Sequence, residues 1–139
     1  KIEDEKAELV RSMSSLRESQ LVKETAKMHF NLANHFLQDK QYDLAINEYN
    51  RALTLCPDDA EAHYNLALIY DIGKQDAVSA MEHYRKCLEL DPKFKMRKSV
   101  QERLVALMMQ ESASISPTMA TRDTRHDLQL DSINLIDKK

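Results

Sequence analysis

Glycine occurs once and proline three times in 139 residues. So little of either leaves almost no material for tight hairpin turns or phosphate-cradling loops, which depend on glycine backbone freedom. A mostly β fold is disfavoured, and so is a glycine-loop nucleotide site. Two cysteines, Cys56 and Cys87, are too few for a disulfide framework that would name an oxidising compartment. Apolar runs fall well short of the roughly 18 residues a membrane span needs. The N-terminus, Lys1-Ile2-Glu3-Asp4-Glu5, lacks the apolar stretch of a secretory signal. The chain as shown therefore reads as soluble and without a transmembrane segment; the compartment stays open, with the cytoplasm as the default expectation. It starts with Lys rather than Met, as a processed or excised chain would. Twenty basic residues against 23 acidic ones, net charge -3, give no broad positive field, so no nucleic-acid partner is expected. The five histidines form no metal constellation, since His29 and His35 are six apart and no His-Glu-x-x-His occurs. With no nucleophile motif either, the expectation is a non-enzyme without cofactor or metal.

What is present is a repeat. Apolar residues make up 42% and charged residues 31%, a globular composition in a length that suits one domain. Residues 26–59 and 60–94 align, the second copy being one residue longer. They share His-aromatic-Asn-Leu-Ala (His29 to Ala33, His63 to Ala67) and an aromatic three residues on, Phe36 or Tyr70. A second group then recurs: Ala45, Tyr49, Leu53, Leu55 and Pro57 against Ala80, Tyr84, Leu88, Leu90 and Pro92. The extra residue must fall between Tyr70 and Ala80. Apolar residues recur at three and four within each half, which predicts two amphipathic helices per copy. A proline closes each second helix, where its ring cannot continue the turn. Asp58, Asp59 and Glu61 fall where the next helix begins and its dipole favours negative charge.

These residues resemble the tetratricopeptide repeat, a unit of about 34 residues with small and aromatic residues at fixed places and a proline near its end. Leu32-Ala33, Phe36, Ala45, Tyr49, Ala52 and Pro57 occupy its signature positions, as do Leu66-Ala67, Tyr70, Ala80, Tyr84 and Pro92. His29 and His63 depart from the large aromatic usual at the first position, and Cys87 from a usual alanine. The resemblance covers 26–94, about half the chain. It implies an all-α helical-hairpin solenoid with protein or peptide partners, in which the first helices line a concave groove. The groove residues would be Phe30, Asn31, Asn34 and Leu37, then Tyr64, Asn65, Leu68 and Asp71, flanked by Gln38 and Ile72. Asparagine amides pair with a peptide backbone, and the rings and leucines offer apolar pockets. Some relatives clamp a partner's C-terminal carboxylate with two asparagines and several cations. Asn34 and Asn65 match the asparagines, but Phe30, Met96 and Val100 stand where cations belong, which argues against such a clamp here.

The flanks complete the expected layout. Residues 1–25 lack proline and glycine and carry Leu9, Met13 and Leu16 at helical spacing, a leading helix. Ile2, Leu9 and Leu16 are seven apart, the spacing of a coiled coil, against which stands a simple cap or tether. Residues 95–110 suit a C-terminal capping helix through Val100, Leu104, Leu107 and Met108. Lys93, Lys95, Arg97, Lys98 and Arg103 form a basic cluster that would suit an acidic partner, or simply a solvated face. Residues 111–139 read as a polar linker and tail. In that tail Leu128, Leu130, Ile133, Leu135 and Ile136 form an apolar docking segment for the solenoid itself, a neighbouring subunit or another protein. The leading reading is an interaction scaffold or adaptor that takes a partner segment in its groove. The alternative is a structural subunit that self-associates into a homo-oligomer, or tethers a complex, through the leading helix and apolar tail. Two repeats alone leave both end faces wet and apolar, so cutting the chain after Phe94 is expected to lower its melting temperature by many degrees. An unchanged melt would take residues 95–110 out of the core.

Overall fold

A computed structural model describes residues 1–114, and within them the chain is helical with no strand. The elements are α1 (Ile2–Gln38), α2 (Tyr42–Leu55), α3 (Ala60–Leu68), a π-helical turn (Ile69–Gly73) that prolongs α3, and α4 (Ala77–Leu90). A last helix, α5, spans 97–114. The chain divides into two compact units, one ending at Arg97 and the other beginning at Lys98. In the first, α1 pairs with α2 and α3 with α4, while α2 and α3 join the two hairpins. In the second, Val100 and Leu107 are the buried residues of α5. That helix continues through Glu111–Ser114, beyond the point where the composition turns polar. The apolar tail segment, Leu128 to Ile136, lies outside the described residues.

Alanine decides how closely the hairpins pack. Ala33, Ala45, Ala62, Ala67 and Ala80 are fully buried, and a methyl side chain lets two backbones approach where a longer one would hold them apart. Tyr49, Leu66 and Ile69 fill the space around them, with Phe30, Phe36, Leu37 and Tyr70 packed at the margin. The leading segment and the first helix of the repeat are one unbroken rod. Its first buried residue is Ala26, and every residue from Lys1 to Thr25 is exposed.

The ends of the helices follow from local chemistry. Asp59 caps α3 by accepting from the Ala62 backbone N–H at 3.1 Å. Asp76 caps α4 by accepting from the Ser79 N–H at 3.1 Å and its hydroxyl at 2.6 Å. Those bonds from Ser79 hold the Asp76 carboxyl below its ordinary range. α2 and α4 both stop at the residue before a proline, which the proline ring pushes out of the helical region. Cys56 (φ -132°, ψ 85°) and Asp91 (φ -136°, ψ 88°) accordingly share one backbone conformation.

The extra residue of the second copy sits in the turn between its helices. In the first copy the Gln41 N–H closes the turn on the Phe36 carbonyl at 2.9 Å, with Lys40 left-handed at φ 58°, a Schellman-type stop. In the second, the aligned groups close the same way. The Asp76 N–H donates to the Tyr70 carbonyl at 2.8 Å, and Gln75 is left-handed at φ 54°. One more residue is enclosed, and the π turn absorbs it through the Lys74 N–H bonded to the Ile69 carbonyl at 2.9 Å.

This widened turn lies against the start of α2. Lys74 pairs with Asp43 at 2.5 Å, and a Cβ at Gly73 would meet the Tyr42 ring at 3.0 Å. Gly73→Ala is therefore expected to destabilise the fold by about 1 kcal/mol, the overpacking cost exceeding the entropy gained in the unfolded chain. In a Tyr42→Ala background the same change should cost nothing, as chemical denaturation of the four variants will show.

Candidate functional site

The residues expected to line the groove come from α1 and from α3 with its π-helical extension. Their side chains are tied together across the helices. The Tyr49 hydroxyl, reaching up from α2, donates to Asn34 Oδ1. The Asn65 amide donates to the same oxygen at 3.2 Å. Asn34 Oδ1 thus accepts two bonds and joins α1, α2 and α3 at one point. Burial pushes the Tyr49 phenol up to about 12, so it remains a donor. In the second hairpin the aligned Tyr84 donates to Asp71 at 3.1 Å.

Aromatic contacts fix the rest. Phe30 meets Tyr49 edge to face with ring centres 5.7 Å apart. Tyr64 lies 5.2 Å from Phe94 and 6.3 Å from Tyr84. Leu37 packs on the core and Leu68 is half-buried, whereas Asn31, Gln38 and Ile72 are exposed. By sequence Tyr49 and Tyr84 are repeat-signature residues and Phe94 is the last residue of the second copy, none of them among the expected groove residues. The structure uses all three to hold Asn34, Asp71 and Tyr64 in place. The recurrence of a tyrosine at one register was the available signal, but its hydroxyl partner depends on how the helices cross.

The histidines at the first signature position have a definite structural task. His29 Nδ1 lies 2.6 Å from Glu48 Oε2, and Arg51 reaches the other oxygen of that buried carboxylate at 2.9 Å. At the aligned positions of the second copy, His63 Nδ1 lies 3.1 Å from His83 Nδ1. The Tyr70 ring stacks on His83 at 5.5 Å. Both pairs pin the first helix of a hairpin to its second at the same level. His63 and His83 open onto a hollow of about 600 Å³ lined also by Val78, Met81 and Glu82.

Of the basic cluster, Lys93, Lys95, Arg97, Lys98 and Arg103 are all exposed. Lys93 and Lys95 border a hollow of about 570 Å³ together with Asp58, Asp59, Glu61 and Asp91. Four carboxylates stand beside those two ammonium groups, so the local field there is mixed. Cys87 is buried and burial raises its thiol to about 11, while Cys56 is half-buried. Among the described residues no three His, Cys, Asp or Glu side chains gather as a metal site, and no helix is long and apolar enough to cross a membrane.

Comparison with family models agrees with this geometry. A TPR repeat model matches residues 33–71 and a tetratricopeptide repeat model matches residues 60–94. Residues 33–94 thus carry tetratricopeptide repeats. Repeats of this kind generally mediate protein–protein interactions and are generally non-catalytic. Comparison with curated proteins finds no match.

The paired imidazoles give the second repeat a pH dependence. Burial lowers the pKa of both His63 and His83 from 6.5, the Pro57 carbonyl opposing it at His63 and the neighbouring imidazole reinforcing it at His83. Below 6.5 the unfolded chain therefore binds more protons than the folded one. Their contribution is complete above that pH and is lost as pH falls through the folded values. The urea midpoint should drop between about pH 7 and about pH 5, and His83→Phe should flatten that drop.

Proposed function

We propose that this protein is a non-catalytic scaffold or adaptor that holds a partner's peptide or helix along the face formed by α1 and α3. One observation carries the reading: Asn34 and Asn65 are linked to each other and anchored by Tyr49 before any ligand arrives. Their remaining amide groups are thus offered in a fixed geometry. A partner segment alone then loses conformational freedom on binding, which favours affinity. Phe30 and Tyr64, each held by a second ring, present apolar surface beside these amides and suit alternate side chains of the partner.

The arrangement speaks for recognition of peptide backbone and apolar side chains rather than of a terminal carboxylate. Phe30 supplies no charge, and no cation is among the groups that tie Asn34 and Asn65 together. Asn34 also has a structural duty, because its loss would leave the buried Tyr49 hydroxyl without an acceptor, at about 1–3 kcal/mol. The informative variant is therefore Asn31→Ala with Asn65→Ala, which leaves that bond in place. Peptides selected from a random displayed library on the intact chain should bind this variant on the order of tenfold more weakly, measured by calorimetry, with stability lowered by no more than about 1 kcal/mol for the one lost Asn65–Asn34 bond. Undiminished affinity would move the binding face elsewhere.

A further inference from the structure

The N-terminal part of α1 carries an apolar stripe that its own repeats do not use. Ile2, Leu9, Met13 and Leu16 are 81%, 61%, 61% and 68% exposed. At about 100° per residue they share one side of the helix, roughly 130° round from the side on which Ala26 and Ala33 are buried. The stripe therefore points away from α2, and the hairpin packing that covers the second half of α1 cannot reach it. A helix with four large apolar residues on one exposed side needs a partner surface.

The charges along the same stretch indicate which partner. Glu3, Asp4, Glu5 and Glu8 make its beginning acidic against Lys1 and Lys6, whereas Arg11 and Arg17 make the following stretch to Gln20 basic against Glu18. A second copy laid antiparallel sets each acidic end against the other's basic stretch. A parallel copy sets like against like and stacks Lys6 on Lys6 within the apolar seam. The antiparallel register that uses the whole stripe places Leu9 opposite Met13, Lys6 opposite Leu16 and Ile2 opposite Gln20. It also brings Glu3 beside Arg17 of the second copy, twice by symmetry. The Lys6 stem can lie along Leu16 with its ammonium in solvent.

We infer that two copies of this chain pair antiparallel through residues 2–20 of α1, leaving the α1/α3 face of each copy open. The pairing is independent of the groove reading: it needs no ligand, and either can fail without the other. It also favours avidity, because two grooves on one dimer can engage a repeated or dimeric partner together.

The test uses the full chain without ligand. Sedimentation equilibrium should give a concentration-dependent mass between monomer and dimer. Leu9→Glu with Leu16→Glu, both at exposed positions, should abolish the dimer while leaving the melting of the repeat core in place. Arg17→Glu should raise the dimer dissociation constant on the order of tenfold, and adding Glu3→Arg should restore it. For direction, a spin label on Lys1→Cys in a Cys56→Ser background should report a separation of roughly 30 Å or more, since the ends lie a rod's length apart. Adjacent labels would mean parallel pairing and overturn the proposal, as would a monomer at all concentrations. So would a dimer that survives the glutamates but is lost on removing Leu128 to Ile136, which would assign the contact to the tail.

Discussion

The rest of the structure depends on how closely its helices approach. Fully buried alanines at 33, 45, 62, 67 and 80 set that approach, and no larger side chain fits without pushing the backbones apart, an overpacking cost of about 1–3 kcal/mol at each site. Only at this separation does the Tyr49 ring fit beneath α1 with its hydroxyl at Asn34, and only then is Asn65 within reach of the same oxygen. The α1/α3 face built this way has its polar atoms already bonded to the scaffold, and the rings beside them have partners of their own.

The two hairpins answer the same geometric demands with different chemistry. Where the first pins its helices by a histidine against a buried carboxylate shared with Arg51, the second uses a pair of imidazoles, His63 against His83, with Tyr70 stacked on His83. Where the first tyrosine hydroxyl meets an amide, the second meets the Asp71 carboxylate. The requirement is a polar bridge across the hairpin at a given level. The consequence is local: charge and protonation matter differently in the two hairpins.

Length is accommodated just as locally. The surplus residue of the second copy is taken up by one π-helical turn, while the closing hydrogen bond and the left-handed residue before it are kept. Because the change is confined to the turn, the faces of α3 and α4 stay in phase, and Leu66, Ile69 and Tyr84 still reach the interior. The turn gains an attachment in exchange, through Lys74 to Asp43 and the close passage of Gly73 over Tyr42. α1 shows the opposite case, a helix that runs on past its hairpin because no proline, glycine or cap interrupts it.

Helix placement, the repeat, its stops and its packing alanines were legible in the residues, because three- and four-residue spacing, capping carboxylates and prolines act within a few positions along the chain. Those local forces also gave the candidate groove side chains their helical face. The tertiary structure alone decided which of them are bonded to what. Asn34 to Tyr49 and Asn65, Tyr64 to Phe94 and His63 to His83 are contacts between segments whose separation and crossing are fixed by collective packing, not by spacing in sequence. It decided too that the stripe from Ile2 to Leu16 faces away from the repeats, since the buried side of a continuous helix is chosen by what packs against its far end.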